Sequence, residues 1–386
     1  MTANTLTGLI PDIQIAADRV LREQTGFLGA VYLDPSGEQA AKDQNITYPI
    51  VPTMASSAIA PAAVPTEPAG MTVGYGQMTI SSVYKVPFVW NGEQQAAVSG
   101  LYDRVKQDQF AQAFRTLVNQ VETDLFLAAK RGSSRAYGTA GTTPFATAAD
   151  LTDVAQIRKI LADNAAWTSD MHLVLSTTSG AKIRGTQANL FKVNEAGTAD
   201  MLRDGALGSL EGFQLHESNM IVSHAKGTGA SYLIDLTAGY AVGLSALHVD
   251  GGTGTILAGD ILTNTKTGRD TTKHVVNSGY AGDADGDIAI GKPGLQVAWV
   301  NNDPVAVGNN YTGNFAFERN AIHLMTRTPK LPKEGALGDH TIITDAYSGI
   351  SFLVSMYPGY HEVIFEVALA WGVKAVKSEA IATLLG

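Results

Sequence analysis

Several groupings of Ser, Lys, His and Asp in this 386-residue chain have the spacing of reactive motifs. Ser179 and Lys182 stand as S-x-x-K, and Lys266-Thr267-Gly268 reads K-T-G. Those are two of the three signatures of penicillin-recognising serine enzymes. The third, S-D-N, is missing, and its nearest fragment is Glu217-Ser218-Asn219. His361-Glu362 begins like the zinc motif H-E-x-x-H, but Phe365 occupies the place of the second ligand. Asp283, Asp285 and Asp287 form D-x-D-G-D, the opening of a calcium loop. Such a loop needs Gly at its sixth position and Glu at its twelfth, where this chain has Gly286 fourth and Gly294 twelfth. A solvated acidic turn is the simpler reading.

The glycines of GGTGTILAGD (251–260) do not give the dinucleotide fingerprint, and the eight histidines are scattered, with no two at ligand spacing along the chain. The absence of cysteine excludes disulfides, thiolate catalysis and Cys-ligated zinc together. The sequence therefore predicts no enzyme, no cofactor and no metal. Two polar groupings remain without a chemical role. One is the acidic set Asp12, Asp18 and Glu23 near the N-terminus. The other is Lys266, Arg269, Asp270 and Lys273 in one loop, together with the aspartates 283, 285 and 287 in another.

Bulk composition narrows the class. The formal charge is −9, and Lys and Arg do not cluster, so the electrostatic footprint of a nucleic-acid binder is missing. The apolar share of 45% against 16% charged residues fits a globular protein with substantial cores. Residues 44–66 carry no charge, but Pro49, Pro52, Pro61 and Pro65 rule out a spanning helix there. The N-terminus has neither a basic start nor a continuous apolar core, so no signal peptide is predicted. A soluble protein is expected.

The elements that would position these residues follow from periodicity. Residues 6–23 have Ile10, Ile13, Ala17 and Val20 near helical spacing, with Asp12, Asp18 and Glu23 on the polar side. Between residues 44 and 84 only Glu67 is charged, and the alternation around Met78, Ile80 and Val83 predicts strands of a long hairpin. Such a hairpin cannot bury itself alone and is expected to lie on a neighbouring molecule. Phe110, Phe114, Leu117, Val121, Leu125 and Ala128 recur every three or four residues, predicting a helix from near Ser99 to Gly132. Its polar face would carry Asp103, Lys106, Asp108, Arg115 and Glu122. About 30 residues at 1.5 Å each span roughly 45 Å.

A mixed α/β block follows, with helices near 151–161 and 177–190 and strands at MHLVLS (171–176) and within 211–224. From 227 to 311 the chain turns Gly-, Thr- and Asp-rich, with short apolar pieces about every ten residues, which predicts a small β-barrel or sandwich.

The last 70 or so residues carry a family likeness. FERNAIHL (317–324) leads to a joint at Pro329 and Pro332, then two apolar strands, and the chain closes on ALAWGVKAVKSEAI (368–381). This order resembles the end of the P-twenty-two-like coat proteins of tailed double-stranded DNA phages, whose last strand has an aromatic-Gly-Val tract before Glu-Ala-Ile. The resemblance implies an α+β, Hong-Kong-97-type capsid fold. Its parts would be an N-terminal arm (1–43), an extended hairpin (44–98) and a spine helix with peripheral domain (99–149). A central domain (150–226), an inserted β-barrel (227–312) and a return to the central and peripheral domains (313–386) would complete it.

It also implies a function: a major capsid protein that forms pentamers and hexamers of an icosahedral head. Scaffold-assisted procapsid assembly in the host cytoplasm and maturation around packaged DNA would follow. Implied partners are a scaffolding protein, a portal protein and a decoration protein, with DNA touched only weakly and no membrane. Asp12, Asp18 and Glu23 become scaffold-contact candidates. Lys266, Arg269, Asp270, Lys273, Asp283, Asp285 and Asp287 become inter-capsomer contact candidates. The alternative is a carbohydrate- or surface-binding β-module fused to an α/β domain.

Overall fold

The computed structural model describes residues 23–50, 73–148, 150–166, 169–186, 207–282, 284–331, 338–345 and 347–386. The first four strands are β1 (Tyr32–Ala40), β2 (Asn45–Ile50), β3 (Gly74–Thr79) and β4 (Ser82–Asn91). A short helix α1 (Gly92–Val98) leads through a 3-10 turn into α2 (Tyr102–Gly132). Next come β5 (Arg135–Tyr137), α3 (Thr152–Asp163), β6 (Met171–Ser176), α4 (Thr177–Thr186), β7 (Ser209–Leu210) and β8 (Phe213–Ser218). Six strands form a separate group: β9 (Tyr232–Ile234), β10 (Ala246–Gly252), β11 (Ile261–Asn264), β12 (Lys273–Ser278), β13 (Ala284–Ile290) and β14 (Pro304–Val307). The chain ends with β15 (Gly313–Glu318), β16 (Ile322–Pro329), β17 (Asp339–Thr344), β18 (Ser351–Pro358), β19 (Glu362–Ala375) and β20 (Ile381–Leu385).

The 31-residue α2 lies on a sheet ordered β1-β16-β19-β18-β17. Its apolar stripe, with Phe110, Phe114, Leu117, Val121 and Leu125 all buried, packs on that sheet, as its three- and four-residue spacing requires. Rings lock the two layers together: Phe110 sits 4.8 Å from Phe88 and 5.5 Å from Phe365, and Phe114 is 4.8 Å from Phe352. Asp103 in the first turn and Lys130 and Arg131 in the last complement the helix dipole. The 14-residue β19 serves both flanks of this sheet. Along residues 362–371 it pairs with β4; on its opposite flank it meets β18 along 363–368 and then β16 along 370–375.

β1 was not legible in the sequence. Its Pro35-Ser-Gly-Glu centre reads as a turn, yet the strand runs parallel to β16, absorbing that centre as a register shift between Pro35 and Gln39.

The central sheet is ordered β5-β20-β15-β6-β8-β7. β6 is buried at every position, because one face packs on the α2 core through Val174 and the other on α3 and α4 through Leu173 and Leu175. β9 to β14 close on themselves in the cyclic order β11-β14-β9-β10-β13-β12, each pair antiparallel, with β12 returning to β11. This closed barrel has its own core around Tyr232, Ile234, Leu247, Val249, Leu262, Ile288 and Trp299. It is stitched to the central sheet where β12 bonds β5.

β2 and β3 form a two-stranded ribbon running from Asn45 opposite Thr79 to Ile50 opposite Gly74. Its base packs Met78 and Ile80 against Met325 and Ala370, with Ile46 and Tyr48 partly buried beside them, and the Gln77 carbonyl accepts from Lys374 Nζ.

Candidate assembly interface

The N-terminal candidates divide. Asp12 and Asp18, with most of the expected amphipathic helix, lie outside the described residues. Glu23 is held by α2: Arg115 Nε donates to both carboxylate oxygens at 2.8 and 2.7 Å, and its Nη2 makes a further bond. That guanidinium lowers the Glu23 carboxyl to about 2. Four residues on, the backbone N–H groups of Phe27 and Leu28 donate to Glu122 at 2.9 and 3.0 Å, and Ser218 Oγ donates to the same carboxylate at 2.8 Å. Burial pushes the Glu122 carboxyl up. The Phe27 ring stacks on Phe317 at 6.1 Å, so the arm is fastened by both polar and apolar contacts.

Glu122 corrects the sequence-based picture of α2. It belongs there to the solvated face with Arg115, but it is fully buried, as is Lys106 nearly so. A helix residue facing water in isolation becomes interior when another segment lies across it, and a helical wheel carries no information about that segment.

Single aromatic side chains stand exposed among polar residues on the β4–β19 sheet and the ribbon. Tyr75 on the ribbon is 71% exposed, Tyr84 on β4 51%, and Tyr360 in the β18–β19 turn 91%. β4 is an edge strand whose Lys85 bonds Glu366 at 2.9 Å and whose Pro87 removes a donor, both of which discourage indiscriminate strand pairing. Beneath it, Trp371 Nε1 donates to Asp124 of α2 at 2.8 Å. Gly372 follows because the carbonyl oxygen of Thr79 crosses there: a Cβ at 372 would lie 2.3 Å from it. The aromatic-Gly-Val tract therefore marks where ribbon, strand and spine helix meet.

Within the barrel, the loop between β11 and β12 folds over one end. Lys266 Nζ lies 3.1 Å from Asp303 Oδ1 and Arg269 Nε 3.6 Å from Oδ2, and Asp303 is fully buried. Asp270 is buried against His274 Nε2 at 3.2 Å, and Lys273 Nζ donates to the Gly138 carbonyl. The second loop is organised by His248, whose Nδ1 lies 2.7 Å from Asp287 and Nε2 2.6 Å from Asp285. The Asp287 carboxylate, then Asp285, raises the affinity of His248 for its proton. Asp283 lies outside the described residues. The structure thus gathers these candidates into two separate groups, each with partners inside the subunit. Lys266, Arg269, Asp285 and Asp287 still face solvent in part.

The residues with catalytic spacing are placed otherwise. Ser179 is buried and its hydroxyl pairs with Ser176 at 3.0 Å. His361 sits in the β18–β19 turn with φ of 58°. No helix among the described residues is long and apolar enough to cross a membrane.

No protein-family model matches the chain, and no curated protein matches it. Solved structures similar to it include the capsid of the cyanophage P-SCSP1u, with a TM-score of 0.48 and 9% identity over 95% of this chain and 89% of that one. The mature capsid of bacteriophage PhiM1 gives 0.48 and 11% over 95% and 89%. A virus-like particle from Pyrococcus furiosus gives 0.41 and 11% over 98% and 97%.

Two functional-looking groups escape sequence reasoning altogether. Glu122 has only the oddity of an acid flanked by apolar residues, Val121 and Leu125, as a signal. His172 and His216, whose rings touch, are separated by 44 residues and come together only through the pairing of β6 with β8.

Proposed function

We propose that this chain is a shell subunit of a tailed-phage-type capsid, of the P-twenty-two-like branch of the Hong-Kong-97-type fold. The observation that carries the reading is the ribbon β2–β3. Among the described residues it pairs with no third strand, and Tyr75 near its far end stands exposed. An isolated two-stranded ribbon is marginal in water, so it implies a surface supplied by another copy. A spine helix on a sheet, the ribbon, and a closed barrel stitched to the central sheet support the same reading, in the order the C-terminal resemblance implies.

In this proposal the work is assembly. Subunits join into pentamers and hexamers through extensive symmetric contacts that are individually weak, with ribbon and arm overlapping neighbours. A scaffolding protein binds the acidic arm through Asp12 and Asp18, Glu23 being committed to Arg115. The solvent-facing Lys266, Arg269, Asp285 and Asp287 of the barrel pair with a neighbouring capsomer. Portal and decoration proteins complete the head, and the negative subunit lets packaged DNA slide.

Electron microscopy of the fast-sedimenting fraction, after expressing the chain alone and with an adjacent scaffold-like gene, tests this. Closed shells, spirals or capsomer rings are expected, regular ones only with the partner. A homogeneous 40.6 kDa monomer in both cases overturns it.

A further inference from the structure

Two imidazole rings meet inside the central sheet. β6 and β8 are parallel neighbours, and His172 faces Gln214, two residues short of His216. His172 Nδ1 lies 3.0 Å from His216 Nε2, and His172 Nε2 lies 3.0 Å from Asp170 Oδ1. His172 is fully buried and His216 half-buried.

The charged groups around the pair come from every adjoining element. Just before β6, Asp170 is the anion bonded to His172 among the described residues. From the turn after β15, Arg319 Nε donates to Asp170 at 2.7 Å and its Nη1 to the Gly29 carbonyl at 3.0 Å. On β15, Phe317 places its ring 6.4 Å from His172, while Glu318 accepts from Asn320 at 2.8 Å and lies 3.9 Å from Lys377. On β8, Glu217 is taken by Arg184 at 2.6 Å.

A hydrogen bond between two imidazoles needs a proton on one nitrogen and a lone pair on the other. With His172 Nε2–H donating to Asp170, its Nδ1 is the acceptor and His216 Nε2–H the donor, an assignment that follows from the hydrogen-bond network. A first proton can be shared, His172 Nδ1–H donating to His216 Nε2 once the His216 proton sits on Nδ1; a second proton sets N–H against N–H and adds charge beside Arg319. Burial and then the Arg319 guanidinium depress His172 to about 4, and the same two causes lower His216.

We propose that His172 and His216 form an acid-operated latch, in which protonation of both rings parts them, separates β8 from β6 and frees the segment 26–29 from the body of the chain. The path is continuous. Among the described residues, β8 pairs on its other side with the two-residue β7. It ends at Ser218, which donates to Glu122, the carboxylate that also holds Phe27 and Leu28. Arg319, which touches Asp170, holds Gly29.

The sign follows from linkage. A histidine whose closed-state pKa is depressed takes up its proton when the latch opens. The closed form is therefore fully favoured above the ordinary value of 6.5 and loses ground until about pH 4. For His172 alone that window corresponds to at most a roughly 300-fold change in the opening equilibrium.

Amide hydrogen exchange of the full chain from about pH 7.5 to about 3.5, corrected for intrinsic rates, tests the latch. Protection in residues 213–218 and 26–30 is expected to fall about tenfold or more below pH 6.5 while the barrel stays protected. In His216→Gln the amide still donates to His172 Nδ1 but one titrating ring is gone, so the fall is shallower. Should that variant misfold, imidazole C2–H exchange on the unaltered protein reads both midpoints directly. Midpoints at or above the ordinary value, unchanged β8 protection, or loss in step with the whole chain each overturn the proposal.

Discussion

The Glu122 carboxylate accepts the backbone N–H of Phe27, 95 residues earlier in the chain, at 2.9 Å. This contact ties the segment 27–28 to the middle of α2, so segment and helix form one unit. It also places a buried acid where an apolar residue would suit the helix better. Replacing Glu122 with Ala strands the amides of Phe27 and Leu28 and the Ser218 hydroxyl, a loss of about 3 kcal/mol for buried donors left without partners. Thermal unfolding followed by circular dichroism should show Glu122→Gln falling between the wild type and Glu122→Ala.

Glu23 and Arg115 make the attachment acid-sensitive at a second point. The Glu23 carboxyl is lowered from 4.5 to about 2, so its contribution is complete above pH 4.5 and disappears as pH falls toward 2. Arg115→Ala should speed hydrogen exchange at residues 23–27 at neutral pH and erase most of the difference from wild type near pH 2. Equal exchange in the two proteins at pH 7 would remove the pair from the account of arm attachment.

Gly372→Ala puts a methyl group 2.3 Å from the Thr79 carbonyl oxygen, a backbone atom that cannot rotate away. The ribbon base must move off β19, at a cost of about 1–3 kcal/mol by the usual range for overpacking. The Lys374 Nζ bond to the Gln77 carbonyl, 2.6 Å, should weaken with it. Sedimentation velocity with a thermal melt separates the effects: a folded subunit with fewer fast-sedimenting particles is expected.

In the barrel, anion and cations are unequal. Asp303 is buried and receives Val300 N–H at 2.9 Å and Asn264 Nδ2 at 3.0 Å besides its two cations. Asp303→Ala should cost about 1–3 kcal/mol, because the Val300 N–H and Asn264 Nδ2 lose their acceptor while the two partly exposed cations return to water. Lys266→Ala, with its side chain half in solvent, should cost about 0–1 kcal/mol. If Lys266 also meets a neighbouring copy, Lys266→Ala should alter particle size in micrographs while leaving the melting temperature of the isolated chain nearly unchanged.

How much could be read beforehand depends on whether a residue's neighbours are local. The apolar stripe of α2 and the run Met171–Ser176 announce themselves because their periodicity is set by their own burial. The barrel was visible as short apolar pieces between turns, but its closure through β11 and β12 was not, since closure depends on strand order. β1 was hidden by its turn-like centre. Glu122, and the pairing of His172 with His216, were hidden because each acquires its partner across 44 or more residues. The polar barrel loops were identified as groups, yet their partners, Asp303 for one and His248 for the other, arrive from elsewhere in the barrel.

β19 constrains how the chain can deform. Because a single unbroken strand borders β4 along one flank and hands over from β18 to β16 along the other, it behaves as a torsion bar. Strand twist is continuous along a backbone. Rotation applied at the Glu362 end, beside the Tyr360 tip, therefore emerges at Ala375, beneath the ribbon. A change in twist at the Glu362 end of β19 is thus expected to redirect the ribbon packed near its other end.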